Sequence, residues 1–418
     1  MIPQARRMRR DEFHTRDRGC AAHSTNRSAA RHLPFPKPPG QVHPPRAGVV
    51  LTYYPFVDVI VVGAGIVGTC VAYALARDGA RATLVEEGTP GGGASATSYA
   101  WLNSNSFDDA VYHALRVRGM AAYRELEAEL GTGDWLHLTG SVRVAFASPD
   151  AEAVRDRVAR KRAVGYPAEL LDAGFGRPEP ALARLAERPA AVAHFPSEGY
   201  IDTATLIGDL LHAFDGLGGV LVRAHVDAVL RDGSVKGVRT STHGDITGDR
   251  VVLCTGADTN LLSSAGFRLA ARGPVGATVI TAPVPVRLKG LIHFPDVTIR
   301  PDGGGRLLLH ADDIDERVDT DTMTLDEVAI RDLTGRARRW LGLPDSDVAV
   351  SEVRVSFRPY PPDGFPVAGP VPGLPGAYVV CTHSGVTLGA ILGRLVAREL
   401  LTNTPDPSLA PYRPTRLT

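Results

Sequence analysis

The first readable apolar stretch of the chain is a short, nearly unbroken run. Val57–Val62 (VDVIVV) is rich in β-branched residues, the pattern of a strand buried on both faces. GAGIVG follows at Gly63–Gly68, and then TCVAYALARDG, whose good helix formers end at Gly79, a natural stop. Arg81–Glu86 (RATLVE) predicts a second strand, so about thirty residues form one strand–helix–strand unit. Within it, Val59–Ala76 holds eighteen residues without a charge, the lower edge of a membrane span. Three glycines interrupt that stretch, and Asp58 and Arg77 bracket it. A strand, a turn and a helix account for it better, and no membrane span is expected.

Helical and strand patterns then alternate. His113–Leu130 predicts a helix with charges paired at i, i+4; Val142–Ala147 a strand; Ala151–Val164 a charged surface helix; and Ala204–Leu217 a further helix. Val220–Arg223 reads as a strand. Ala224–Val229 opens a hairpin that turns at Asp232-Gly233. Arg250–Cys254 (RVVLC) is another buried strand, and Leu307–His310 is placed to pair with Val297–Arg300 across Gly303–Gly305. Ala377–Cys381 is a strand and Val386–Leu401 a closing helix. The expected class is α/β with an interleaved second domain, and no internal repeat is visible.

A length of 418 residues suits two or three domains, and 44% apolar content supports a sizeable core. Net charge is zero but uneven. Residues 1–50 carry nine Arg and one Lys against three acids, a net of +7, so the remainder carries −7. A mildly acidic folded part argues against nucleic acid as a partner. Arg6-Arg7 and Arg9-Arg10 are followed by Asp11-Glu12 and the Pro-rich PFPKPPGQVHPP, not by the apolar run of an export signal. Residues 1–52 are therefore expected to form a disordered basic arm. Cys20, Cys70, Cys254 and Cys381 are widely spaced, without a CxxC. That pattern predicts a reducing, cytoplasmic setting and no metal site.

A GxGxxG spacing is common in a chain with 44 glycines, so its context decides. Here it follows a strand and opens a helix. Gly63 permits the tight turn, Gly65 lets backbone approach a pyrophosphate, and Gly68 lets helix pack on strand; Ala64, Ile66 and Val67 complete the loop. The helix N-terminus faces the phosphates with unpaired N–H groups. Glu86 closes the second strand 18 residues after Gly68, with Glu87 beside it. A carboxylate there accepts both ribose hydroxyls and repels a 2′-phosphate, so the pattern predicts an unphosphorylated dinucleotide.

Three further segments narrow the choice of dinucleotide: Gly91–Ser98 (GGGASATS), Val251–Ala257 (VVLCTGA) and the C-terminal block RPYPPDGFPVAG…GAYVVCTHSGVTLGAILGRLVAREL. With them the chain resembles the D-amino-acid oxidase family of flavoenzymes, from about residue 56 to residue 402. The resemblance implies FAD as cofactor, bound non-covalently because no Cys stands at the relatives' attachment position. It implies that Ser95 lies on the loop around the phosphates, that Thr255 and Gly256 run close to the cofactor, and that the backbone of Val226 meets adenine; a plain core strand also accounts for Val226. Arg358 matches the arginine that binds the substrate carboxylate, for which a guanidinium gives a planar two-point grip. A surface ion pair is its other reading. Pro359 restricts the backbone at Arg358. His383 stands beside the flavin by the same resemblance, or is a structural histidine. The helix N-terminus at Gly385, Val386 and Thr387 points at the flavin pyrimidine, where reduction builds negative charge. Gly385, Gly389 and Gly393 share one face of that helix, suited to close packing.

The chain also departs from the family. Thr382 and His310 stand where relatives have Gly, and Tyr99–Ser106 (YAWLNSNS) replaces a small-residue stretch, making Trp101, Asn103 and Asn105 candidates to line a substrate site. Tyr360 is a candidate substitute for a tyrosine that helps fix the carboxylate. The candidate catalytic set is thus Arg358, His383, Tyr360 and His310. The implied architecture is a Rossmann-like FAD-binding domain (53–105, 196–270, 355–402) interleaved with an antiparallel-sheet substrate domain (106–195, 271–354), then a tail at 403–418. The implied reaction is oxidation of the C–N bond of a small amino acid or N-substituted amino acid by hydride transfer to flavin N5, with oxygen or another acceptor taking the electrons. Oxidation of a 2-hydroxy acid and a non-catalytic flavin-binding subunit are the alternatives.

Overall fold

The computed structural model describes residues 57–171, 176, 178–344 and 348–418. The expected basic arm at 1–52 lies outside them. Asp58–Val62 (β1) is almost wholly buried, as its unbroken apolar run requires. Ile66–Arg77 forms helix α1 and Arg81–Glu86 strand β2, so the uncharged stretch at 59–76 is a strand, a turn and a helix. Among the described residues no helix is long and apolar enough to cross a membrane.

β1 pairs in parallel with β2 on one side and with Arg250–Leu253 on the other. Val220–Arg223 extends the sheet beyond β2, and Ala377–Cys381 extends it beyond Arg250–Leu253. The antiparallel strand Val367–Pro370 closes that edge. Strand order thus reverses at β1, and a crevice opens past the carboxyl ends of the strands, the usual ligand position in such sheets. Two glycines make the crevice possible. Gly63 has φ +97°, and a Cβ there would stand 2.5 Å from the Cys254 carbonyl oxygen; a Cβ on Gly68 would overlap the Gly63 carbonyl oxygen. α1 packs on the closing helix, Gly385–Thr402, where a Cβ on Gly393 would meet the Cys70 carbonyl at 2.6 Å.

The second layer is an eight-stranded sheet ordered Val350–Pro359, Arg272–Thr281, Leu307–His310, Thr298–Pro301, Leu291–His293, Ser141–Ala145, Ala191–Phe195, Glu169–Leu170. It is antiparallel except between Leu291–His293 and Ser141–Ala145, which run parallel. This pair joins chain segments from either side of the 196–270 stretch, so no hairpin turn fixes their direction. Alternation gives the sheet two faces. Val142, Val144, Val279, Ile299, Leu307 and Leu309 belong to one apolar core with the helix Glu327–Leu341. The intervening positions, among them Thr278, His310, Ser356 and Arg358, line the crevice side. Val350–Pro359 is continuous through position 355 and pairs along its length with Arg272–Thr281.

Element ends differ from the sequence reading where caps decide them. The helix expected from His113 starts at Ala110, because Asp109 Oδ1 accepts the Tyr112 amide at 2.7 Å. The helix expected from Ala151 starts at Ser148, with Pro149 in its first turn. The hairpin turns at Gly233, with Asp232 opposite Ser234, and its first strand is Val226–Asp232.

Candidate active site

One cavity of about 900 Å³ follows the crevice from Glu86 and Val226, past the start of α1, to the closing helix and the polar face of the large sheet. At its first end each Glu86 oxygen takes one backbone amide: Oε2 from Ala64 at 2.7 Å and Oε1 from Gly88 at 2.8 Å. A second lone pair on each oxygen remains for a ligand hydroxyl. Glu87 pairs with His225 at 2.6 Å. Gly65 caps α1 and has no side chain to cover its first turn, and Ser95 Oγ accepts the Ile66 amide at 3.0 Å while its own proton stays available. Gly63, Gly65, Ile66, Val67, Ser95, Val226, Thr255 and Gly256 all line the cavity; Ala64 and Gly68 do not, and instead hold its walls. An elongated cavity with ribose acceptors at one end and bare helix amides in the middle fits a dinucleotide.

At the far end Arg358 rises from the large sheet. Its Nη2 contacts Asp315 Oδ2 and lies 2.9 Å from His310 Nε2, and His310 in turn is 3.0 Å from Asp315. Asp315 is itself fixed, since Oδ1 accepts the Ala277 amide at 2.7 Å. The Arg358 Nη1 and Nε groups make no hydrogen bond among the described residues. His310, Asp312 and Asp315 lie close enough to share an ion, but the Arg358 guanidinium already supplies the positive charge there. Tyr99 stacks on His310 at 5.0 Å between ring centres and lines the cavity, and its hydroxyl has no partner among the described residues. Desolvation, followed by the charge of Asp312, pushes that hydroxyl up to about 12, so it stays a donor. Neither Asp315 nor Tyr99 was singled out from sequence: DDIDER reads as a solvated acidic stretch, and Tyr99 as the start of a loop.

His383 is open to the cavity, with Tyr360 tilted against it at 5.0 Å; Tyr360 itself does not line the cavity. Burial by the cavity walls, then the charges of Arg358 and Arg116, lowers the His383 pKa to about 4. The folded value lies below the ordinary 6.5, so the fold favours neutral imidazole. Stability from this source is full above about 6.5 and declines as pH falls toward 4. In an imidazole NMR titration, His383 stays neutral well below its ordinary range, and Gln at this position removes the signal. A His383 signal titrating near 6.5 contradicts the arrangement.

Cys254 and Cys381 also line the cavity, and burial pushes the Cys381 thiol up to about 12 and Cys254 higher still, so neither is a thiolate. Thr382, Gly385, Val386 and Thr387 complete this wall. Trp101 and Asn103 line the cavity, whereas Asn105 is held beneath it. The anchor is Glu198, fully buried and unanticipated. It accepts from Trp101 Nε1, the Ser104 and Asn105 amides, Asn105 Nδ2, Ser141 Oγ and Tyr166 Oη at 2.7–3.2 Å. Six donors let a carboxylate sit inside the protein and pin the Trp101–Asn105 loop. Asn103 Oδ1 and Thr278 Oγ1 are buried without a hydrogen-bond partner among the described residues.

A switch-point crevice with ribose and phosphate groups, running into a charged pocket on a second sheet, defines a dinucleotide-dependent enzyme. The sequence profile of the FAD dependent oxidoreductase (DAO) family matches residues 58–399, and the chain belongs to that family, with FAD as its cofactor. It is 28% identical over 375 residues to a glycine oxidase of Geobacillus kaustophilus, covering 86% of this chain and 97% of that protein. It is 28% identical over 440 residues to D-amino acid dehydrogenase 2 of Ralstonia nicotianae, covering 85% and 99%. The crystal structure of the G. kaustophilus glycine oxidase superposes with a TM-score of 0.75 at 25% identity, covering 86% of this chain and 98% of that one.

Proposed function

We propose that this oxidoreductase oxidises the C–N bond of a small amino acid or N-substituted amino acid. The observation that carries the reading is Arg358: it faces the cavity on the edge strand, is oriented through Nη2 by Asp315 and His310, and keeps Nη1 free of partners among the described residues to pair with a carboxylate. FAD bound in the crevice would supply the acceptor for a hydride, two electrons and one proton, leaving the substrate's α-carbon. The protein's part is to hold that carbon in place, which is where binding geometry contributes most to rate. Arg358 fixes the carboxylate, and the Tyr99 hydroxyl is a second donor beside it. Neutral His383 does not repel the cationic amine, and Trp101, pinned through Glu198, limits side-chain size. At the other end Glu86 would hold the ribose, and α1 with Ser95 the phosphates. The imine product hydrolyses, and oxygen or a carrier takes the electrons.

The names of the glycine oxidase and D-amino acid dehydrogenase relatives support a carboxylated amine. The test is anaerobic mixing of the FAD-loaded protein with amino acids, N-methyl amino acids and 2-hydroxy acids, followed by visible absorbance. The expected result is bleaching by amines that carry an adjacent carboxylate. Bleaching by 2-hydroxy acids alone transfers the carboxylate site to alcohol oxidation, and bleaching by none of the three sinks the reading.

A further inference from the structure

Arg116 is the most buried arginine among the described residues, only 2% exposed, and it lines the cavity. It sits on the Ala110–Leu130 helix, one turn before Gly119, where the two helices are so close that a Cβ on Gly119 would overlap the Thr387 carbonyl oxygen. Its Nε donates to the Asn103 carbonyl at 2.9 Å, Nη1 to Ser384 Oγ and the Tyr112 hydroxyl, and Nη2 to Thr387 Oγ1 at 3.3 Å. Its guanidinium lies over the Phe107 ring at 3.9 Å. Every one of these partners is neutral. Arg300, the next most buried, has Asp302 at 3.1 Å. The acid whose charge Arg116 feels, Glu198, is already surrounded by its own six donors and makes no hydrogen bond to it. Guanidinium does not shed its proton in a protein. A buried positive charge with no acid in contact is thus kept at the mouth of the closing helix, whose own N-terminus adds to it.

Glu198, spent on its own six donors, offsets that charge only at a distance; an anion that comes and goes in the cavity can meet it directly. Hydride delivery adds two electrons and one proton to an uncharged ring system, leaving it one unit more negative. We propose that Arg116 is the counter-charge for the reduced cofactor, placed to neutralise the negative pyrimidine end of the isoalloxazine beside Ser384 and Thr387. The oxidised ring is neutral, so the attraction acts on one redox state only and raises the midpoint potential. The inference rests on FAD binding, not on which substrate is oxidised.

Sulfite and reducing dyes test it without substrate, on the FAD-loaded protein. Sulfite adds to the oxidised ring and leaves the same negative charge. Arg116→Gln is expected to weaken sulfite binding at least tenfold and to lower the potential; for a two-electron couple, tenfold corresponds to about 30 mV. Arg116→Lys, which keeps the charge, stays near wild type. Unchanged potential and sulfite affinity in Arg116→Gln, or an equal loss in Gln and Lys, overturns the proposal. The wild type gives an independent check: its reduced cofactor stays anionic down to about pH 6, because an opposite charge favours the ionised form. A neutral reduced form there overturns the proposal whatever the variants do.

Discussion

Arg358→Ala raises KM for a carboxylated amine by about 10²–10³-fold, the loss of roughly 3–4 kcal/mol expected when a charge-assisted contact inside a cavity is removed. The change in kcat is smaller, because the carboxylate is gripped equally in the ground and transition states. Steady-state kinetics under saturating acceptor measure both. The variant also leaves Asp315, whose side chain is 7% exposed, with His310 and the Ala277 amide but no cation, so its melting temperature falls. Lys at 358 recovers little, since one ammonium cannot both hold Asp315 and reach a carboxylate as the separate nitrogens of a guanidinium do. An unchanged KM removes Arg358 from the substrate site.

Gly68→Ala is expected to give colourless protein. The added methyl group would overlap the Gly63 carbonyl oxygen, so α1 must move away from the turn that holds the phosphates. Overpacking of this kind costs about 1–3 kcal/mol in the fold. Displacing the phosphate site adds to it, and the Kd for FAD rises about a hundredfold or more. Fluorescence titration with FAD measures the affinity and calorimetry the stability. Gly208→Ala is the control: it lies in the helix Thr203–Gly216 with open space around its Cβ position, and Ala there stabilises by roughly 0.5–1 kcal/mol. A yellow Gly68→Ala protein with wild-type affinity shows that the turn tolerates the shift.

The first strand, the glycine turn and the second strand were legible from sequence because each is a local pattern: a β-branched run, a spacing of glycines, an acid at a strand end. The polar interior was not. Asp315 matters only because Leu307–His310 and Val350–Pro359 each pair with Arg272–Thr281, which brings Arg358 and His310 together. Glu198 looks like a turn residue, and its six donors come from residues 101–105, 141 and 166. Arg116 was hidden among the exposed charges of its helix, yet one signal was available. Tyr112, Arg116, Gly119 and Tyr123 share one buried stripe, and an arginine there is out of place on an inward face. The cap at Asp109 and the proline start at Ser148 are legible too, as standard helix start signals.

The walls of the cavity come from both ends of the described chain: the turn after β1 on one side, Thr382–Thr387 on the other. For a chain emerging from the ribosome, this sets an order of events. α1 is made early, but the glycine face it packs against arrives only with the closing helix. Ala377–Cys381, one of the parallel strands flanking the crevice, is also a late arrival. Until then the nucleotide turn has no opposite wall and α1 exposes apolar surface. Cofactor capture is therefore a late step of biosynthesis, and the nascent protein must be kept from aggregating through most of its translation.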